Sequence, residues 1–224
     1  MKAIKLFDPE NYKITEADII KRVLAGEKEL YEILIRRNNQ KLFRVVRSYV
    51  KIPSDIEDIM QNTYIKGYQK LYQFKLNSEF STWLIRIGIN ESLARLKEKS
   101  KTYPFSQATL YELPNSEVQR SDHDDSNPEK KIIRQEVKQL LEDAIDSLPS
   151  KYRTTYILRE VEEMSTAEVS QCLRLSESNV KVRLHRAKNI LKEKLFEASQ
   201  NKDIFEFGFH QCDRLTDLVM QKIS

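Results

Sequence analysis

The stretch that decides the fold runs from Ser165 to Leu191: Ser-Thr-Ala-Glu-Val-Ser-Gln-Cys-Leu-Arg-Leu-Ser-Glu-Ser-Asn-Val-Lys-Val-Arg-Leu-His-Arg-Ala-Lys-Asn-Ile-Leu. Apolar residues recur at helical spacing in two runs with a short break between them. The first run buries Val169, Cys172 and Leu173, and Leu175 plugs the break. The second aligns Val180, Leu184, Ala187 and Leu191 on one face, leaving Lys181, Val182, Arg183, His185, Arg186 and Lys188 pointing outward. The acids Glu177 and Glu193 stand only at its two ends. A short helix, a tight turn and a longer basic helix make a helix-turn-helix, and such a surface suits phosphates and guanine edges in a DNA major groove.

Outward from this stretch, composition agrees with a helical protein. The chain has 224 residues, 40% of them hydrophobic, with only four glycines and six prolines to interrupt helices. Its net charge of +4 hides an uneven distribution: +6 over residues 1–100, -3 over 101–130, +3 over 131–196 and -2 over 197–224. Two basic modules flanking an acidic connector suggest polyanion contacts by both modules. Two cysteines, Cys172 and Cys212, do not make a disulfide framework, and a reduced, cytoplasmic location is expected. No run reaches the ~18 to 20 apolar residues of a membrane span, so no membrane insertion is expected. Three scattered histidines offer no metal-ligand spacing, and no Gly-rich phosphate loop or nucleophile elbow is present, so neither a metal, a cofactor nor an enzymatic activity is expected.

Hydrophobic periodicity predicts helices along the rest of the chain. Thr15 starts one that Gly26 ends; Glu29 to Val50 forms a second, with a break expected near Asn38 and Asn39. Ser54 to Tyr72 forms a third, with Asp55, Glu57 and Asp58 in the first turn, where carboxylates complement the helix dipole. Phe80 to Lys99 forms a fourth, whose expected core stripe includes Trp83, Leu84, Ile87, Leu93 and Leu96. Residues 101–130 carry Pro104, Pro114 and Pro128 without usable periodicity and read as a flexible linker. Lys131 to Ser147 is again helical, with Ile132, Val137, Leu140, Leu141, Ile145 and Leu148 as its stripe, and Tyr152 to Glu163 precedes the helix-turn-helix. Residues 197–224 form an extension with an amphipathic stretch, most simply a cap on the C-terminal module.

Four strings now match one family in order: Asp58-Ile-Met-Gln-Asn-Thr-Tyr-Ile-Lys, Phe80-Ser-Thr-Trp-Leu-Ile-Arg-Ile-Gly-Ile-Asn90, Leu148-Pro, and Val180-Lys-Val-Arg-Leu-His-Arg-Ala-Lys. On these the chain resembles the extracytoplasmic-function (ECF) group of sigma-70 RNA polymerase sigma factors, over residues 15 to 195. The resemblance implies an all-α protein of two helical modules: a region 2-like module at 1–100 and a region 4-like helix-turn-helix module at 131–196. It implies no bond chemistry. Its expected partners are core RNA polymerase, through the coiled coil of the largest subunit and the flap region, and promoter DNA. An anti-sigma factor is a further partner that the group admits.

Residue by residue, the resemblance places Asp55, Asp58, Gln61, Asn62 and Tyr64 on the polymerase, with Asn62 where the family usually has glutamate. It places Asn77, Phe80, Thr82, Trp83, Arg86, Asn90, Arg95, Lys97 and Lys99 on the single-stranded -10 element. That surface must be aromatic and basic, because stacking returns ~1 to 3 kcal/mol for each base that opening leaves unstacked. Lys181, Val182, Arg183, His185, Arg186 and Lys188 fall on the duplex -35 element, with Ser176, Ser178 and Asn179 near phosphates. Two departures concern the turn: Ser170 replaces the usual alanine and Arg174 the usual glycine, where a left-handed backbone costs a non-glycine residue ~1 kcal/mol. Two other readings stay open from residues alone: a stand-alone helix-turn-helix regulator that needs no polymerase, and a protein-binding sigma-like adaptor.

Overall fold

The computed structural model describes residues 14–102 and 128–199, with side chains for 14–100 and 135–197. The linker assigned to 101–130 therefore falls mostly, and the extension from 200 onward wholly, outside the described residues. Within them, helices are the only regular structure.

Helix α1, Glu16–Leu24, begins at Thr15, whose hydroxyl accepts from the Asp18 amide, and ends before Gly26, which takes φ +112°. α2 spans Tyr31–Arg47 without the break expected near Asn38. Asn38 is tolerated mid-helix because it is buried and its amide donates to Leu34 O (2.9 Å) and Glu16 Oε1 (3.2 Å). α3, Pro53–Gln69, has proline in its first turn, where no backbone donor is lost. After the short turn Leu71–Gln73 comes α4, Phe80–Thr102. These four helices close around Ile19, Leu34, Leu42, Ile56, Ile59, Leu71, Phe80 and Leu84. α4 can press onto α2 because Gly88 has no side chain: a Cβ there would lie 2.7 Å from Leu42 Cδ1.

The second module contains α5 (Pro128–Asp146), α6 (Ser150–Tyr156, continued by a π turn at Ile157–Val161), α7 (Thr166–Leu173) and α8 (Glu177–Ser199). Ala144, Ile145, Leu148, Ala187 and Leu191 pack α5 against α8. Two expected core stripes are corrected here. Val137, Leu140 and Leu141 on α5, and Leu93 and Leu96 on α4, are exposed; beyond Ile89, α4 stays on α3 through Arg95 and Lys99, which reach Asp55, and not through these leucines.

The modules also meet, which the reading of a bare linker did not foresee. A third apolar cluster takes Val45, Ile85 and Ile89 from α2 and α4 and joins them to Leu158, Met164, Val169, Cys172 and Val180. Arg47 and Lys51 reach Asp146, and Arg44 reaches Glu162, around its edge.

Candidate nucleic-acid interface

The helix-turn-helix is built from local chemistry. Ser165 caps α7 through a reciprocal capping box, its hydroxyl accepting from the Glu168 amide while the Glu168 carboxylate accepts from the Ser165 amide at 2.8 Å. Arg174 ends α7 in the left-handed region, φ 53° and ψ 49°. Ser170 compensates: its hydroxyl donates to Leu175 O at 2.5 Å, and its carbonyl accepts the Leu175 amide at 3.1 Å. Both residues that depart from the family pattern thus act on one turn, and the turn closes. Ser176 then accepts from the Asn179 amide at 3.2 Å and starts α8.

On α8, Val180, Ala187 and Leu191 are buried and Leu184 is half-buried, as the periodicity requires. Lys181, Val182, His185, Arg186 and Lys188 are exposed, with Arg183 half-buried. Neighbours steer several of these groups: Arg183 donates to Asn179 Oδ1 (2.9 Å), Arg186 to Tyr152 Oη (3.3 Å), and Lys188 pairs with Glu160 (2.9 Å). The Arg186 hydrogen bond, with the nearby Lys151 charge, holds the Tyr152 hydroxyl below its ordinary range. Ser178 and Asn179 are exposed beside the helix N-terminus.

The residues assigned to single-stranded DNA divide into three sets. Arg86, Asn90 and Lys97 are exposed and lie along one stripe of α4, and Asn77 is exposed in the loop before it. Trp83 is half-buried in an aromatic cluster, its ring 5.5 Å from Phe74 and 5.7 Å from Phe80. Phe80 and Thr82 depart from expectation. Phe80 is only 2% exposed and is a core residue, and Thr82 is covered by the second module, its hydroxyl 3.1 Å from Glu168 Oε1.

Arg95 and Lys99 also depart, together with Asp55. Asp55 is buried on the inner side of α3, and both cations of α4 converge on its carboxylate, Arg95 through two N–H groups at 3.0 and 2.7 Å. Three side chains expected on two different interfaces form one ion cluster that ties α3 to α4. Burial alone would raise the Asp55 pKa, but the hydrogen bonds from Lys99 and Arg95 outweigh it and hold the carboxyl below its ordinary range. Tyr64 is likewise internal: its hydroxyl donates to Ile35 O at 3.1 Å, and burial pushes its pKa up. Asp58, Gln61 and Asn62 remain on the outer face of α3, continued by Ile65 and Tyr68, which are exposed and were missed from the sequence. Their signal was available, since both continue that outer face one turn further.

Among the described residues, no group of three or more His, Cys, Asp or Glu side chains is placed to hold a metal ion. No described helix is long and apolar enough to cross a membrane. Cys172, at the meeting of the modules, has its thiol pushed up to about 12, first by burial and then by the Glu168 carboxylate.

Two helical modules, one of them presenting a basic helix beside a helix-turn-helix turn, define a DNA-binding protein of the transcription-factor class. Residues 34–102 match the model of sigma-70 region 2, and residues 138–191 that of sigma-70 region 4. The chain is 30% identical over 184 residues to the ECF RNA polymerase sigma-E factor of Escherichia coli K12, covering 82% of this chain and 95% of that one. It is 27% identical over 183 residues to the protein of the same name from Haemophilus influenzae, covering 82% and 96%. Among solved structures, the sigma factor RpoE in complex with the anti-sigma factor NepR, from Bartonella quintana, shares the fold with a TM-score of 0.59 at 19% identity, over 74% of this chain and 96% of that one. CnrH, in complex with the cytosolic domain of CnrY, gives a TM-score of 0.53 at 22% identity, over 80% and 96%. The chain belongs to the sigma-70 family of transcription initiation factors, in its ECF group.

Proposed function

We propose that this chain docks on core RNA polymerase, reads an upstream promoter element as duplex through α8, and captures the downstream element as separated strand along α4. The observation that carries the reading is the exposed row Lys181, Val182, His185 and Arg186 beside a closed helix-turn-helix turn, in a chain whose other half matches region 2. A helix in the major groove reads guanine edges with arginine or lysine, and Val182 suits a thymine methyl group. On α4, the stripe Arg86, Asn90 and Lys97 supplies phosphate and base-edge contacts next to the Trp83 cluster.

The outer face of α3, with Asp58, Gln61, Asn62, Ile65 and Tyr68, is the docking surface for the polymerase coiled coil, combining polar specificity with exposed apolar area. Val137, Leu140 and Leu141 on α5 suit an apolar element such as the flap. Each module alone binds weakly; anchorage on one large partner fixes their separation and raises the effective concentration of the second contact.

Run-off transcription from genomic fragments tests the reading. Core polymerase plus this chain is expected to give discrete start sites that core polymerase alone does not. A chain that protects promoter DNA equally well without polymerase is a stand-alone regulator, and the proposal fails.

A further inference from the structure

Three cations of α8 are held by neighbours, and the chemistry of the hold differs in each. Arg183 donates to Asn179 Oδ1 on its own helix at 2.9 Å, which lays it along α8. Lys188 pairs with Glu160 at 2.9 Å, and that carboxylate offsets its charge. Arg186 donates through Nη1 to the Tyr152 hydroxyl at 3.3 Å. Tyr152 stands on α6, 34 residues away, and its uncharged oxygen leaves the guanidinium its full charge.

The anchor itself is fixed. The Tyr152 ring is half-buried against the cluster of Ala144, Ile145, Leu148, Ala187 and Leu191, through which α8 packs on its own module. Lys151 Nζ stands 4.9 Å from the ring centroid and adds a cation on the ring face. The hydroxyl is therefore carried at a set place beside α8. A guanidinium has five N–H groups, and one bond at Nη1 leaves the Nε and Nη2 edge to donate. That edge is a two-donor fork of the kind that matches guanine O6 and N7. An arginine on an exposed helix face samples many rotamers, of which binding selects one; a bond made beforehand removes part of that cost.

We propose that Tyr152 is a positioning residue for promoter selection: from α6 it aims Arg186 at a guanine of the upstream element. Base preference, and not only affinity, then depends on a side chain outside the recognition helix. The proposal rests on the function proposed above.

The test is Tyr152→Phe, which removes the hydroxyl and keeps the ring that packs on the α8 cluster. Full-length chains are assembled with core polymerase on a promoter recovered by the run-off experiment, and binding is measured with each base in turn at every upstream position. Arg186→Ala marks the position it reads, as the one where guanine preference is flattened. There Tyr152→Phe is expected to lose about fivefold in affinity for guanine and less than about twofold for the other bases. Added to Arg186→Ala, it is expected to change nothing at that position. A loss equal for all bases, or one that persists without Arg186, assigns Tyr152 to packing and overturns the proposal. So does a guanine preference that Tyr152→Phe leaves intact, or an Arg186→Ala chain that flattens none.

The tether is read separately by carbon-13 NMR of tyrosine-labelled chain, with Tyr152→Phe assigning the signal. Tyr152 is expected to titrate below the ordinary tyrosine range and to move up in Arg186→Ala, because the Arg186 hydrogen bond is the largest cause of its lowering, ahead of the Lys151 charge. A titration that Arg186→Ala leaves in place overturns the proposal. If the tether is present but core polymerase with the wild-type chain gives no discrete start sites, the functional reading fails, and the aim of Arg186 at a promoter fails with it.

Discussion

Replacing Asp55 by Asn separates a residue that holds the fold from an exposed neighbour, Asp58, proposed to meet polymerase. Breaking a fully buried ion pair costs about 3–5 kcal/mol. The Asp55 side chain is 6% exposed, but Arg95 and Lys99 are 34% and 37% exposed and are rehydrated once released. The expected cost is therefore lower, about 2 kcal/mol, or a fall of roughly 10 °C in melting temperature for a module of this size. Asp58→Asn, one turn away on the exposed face, is expected to change stability by less than ~0.5 kcal/mol while weakening polymerase binding. The pH dependence follows from the depressed Asp55 carboxyl. Its stabilising contribution is complete above the ordinary aspartate pKa of about 4 and is lost as pH falls through the lower folded value. The gap between wild type and Asp55→Asn should therefore narrow in acid. Thermal and urea unfolding followed by circular dichroism measure all of this. An Asp55→Asn chain as stable as wild type at neutral pH would refute the ion-cluster reasoning.

Gly88→Val is expected to destabilise the first module by about 1–3 kcal/mol, since even a Cβ would meet Leu42 Cδ1 at 2.7 Å; a wild-type urea midpoint would contradict it. Ser165→Ala removes half of the α7 capping box and should cost about 1 kcal/mol by the same assay, with no loss if the cap is dispensable. Cys172, with its thiol near 12 and buried between the modules, should react with iodoacetamide at pH 8 at least ~100-fold more slowly in the folded chain than in urea. Equal rates would mean that the cluster around it is open.

The helices that carry their own boundaries were legible: Thr15 and Gly26 frame α1, and Val180, Leu184, Ala187 and Leu191 define the inner face of α8. The left-handed turn at Arg174 was foreseen too, though not that Ser170 would brace it. The Ser165–Glu168 capping box was written in the sequence as Ser-x-x-Glu and passed over. What periodicity cannot supply is the choice among apolar residues when a helix is apolar around most of its girth. On α4, Phe80, Leu84, Ile85 and Ile89 are all buried, against two different modules, so the stripe alone does not say that Phe80 faces the core. Long-range pairing is hidden for a different reason. Asp55 and Arg95 are 40 residues apart, and their complementary charges read equally well as two separate surfaces. Likewise Val45 and Val169 each look like ordinary core positions, and nothing local reveals that they share a single cluster across the modules.

The central claim is that one module holds separated strands while the other reads intact duplex, both placed by polymerase. Permanganate reactivity and a DNase footprint on one promoter complex, formed with core enzyme and each of two variants, test it most directly. Trp83→Ala is expected to keep the upstream footprint but lose permanganate reactivity of downstream thymines, and Arg186→Ala to weaken upstream protection by about 1–3 kcal/mol. If Trp83→Ala opens the downstream thymines as wild type does, or Arg186→Ala leaves the upstream footprint unchanged, the division of labour is wrong.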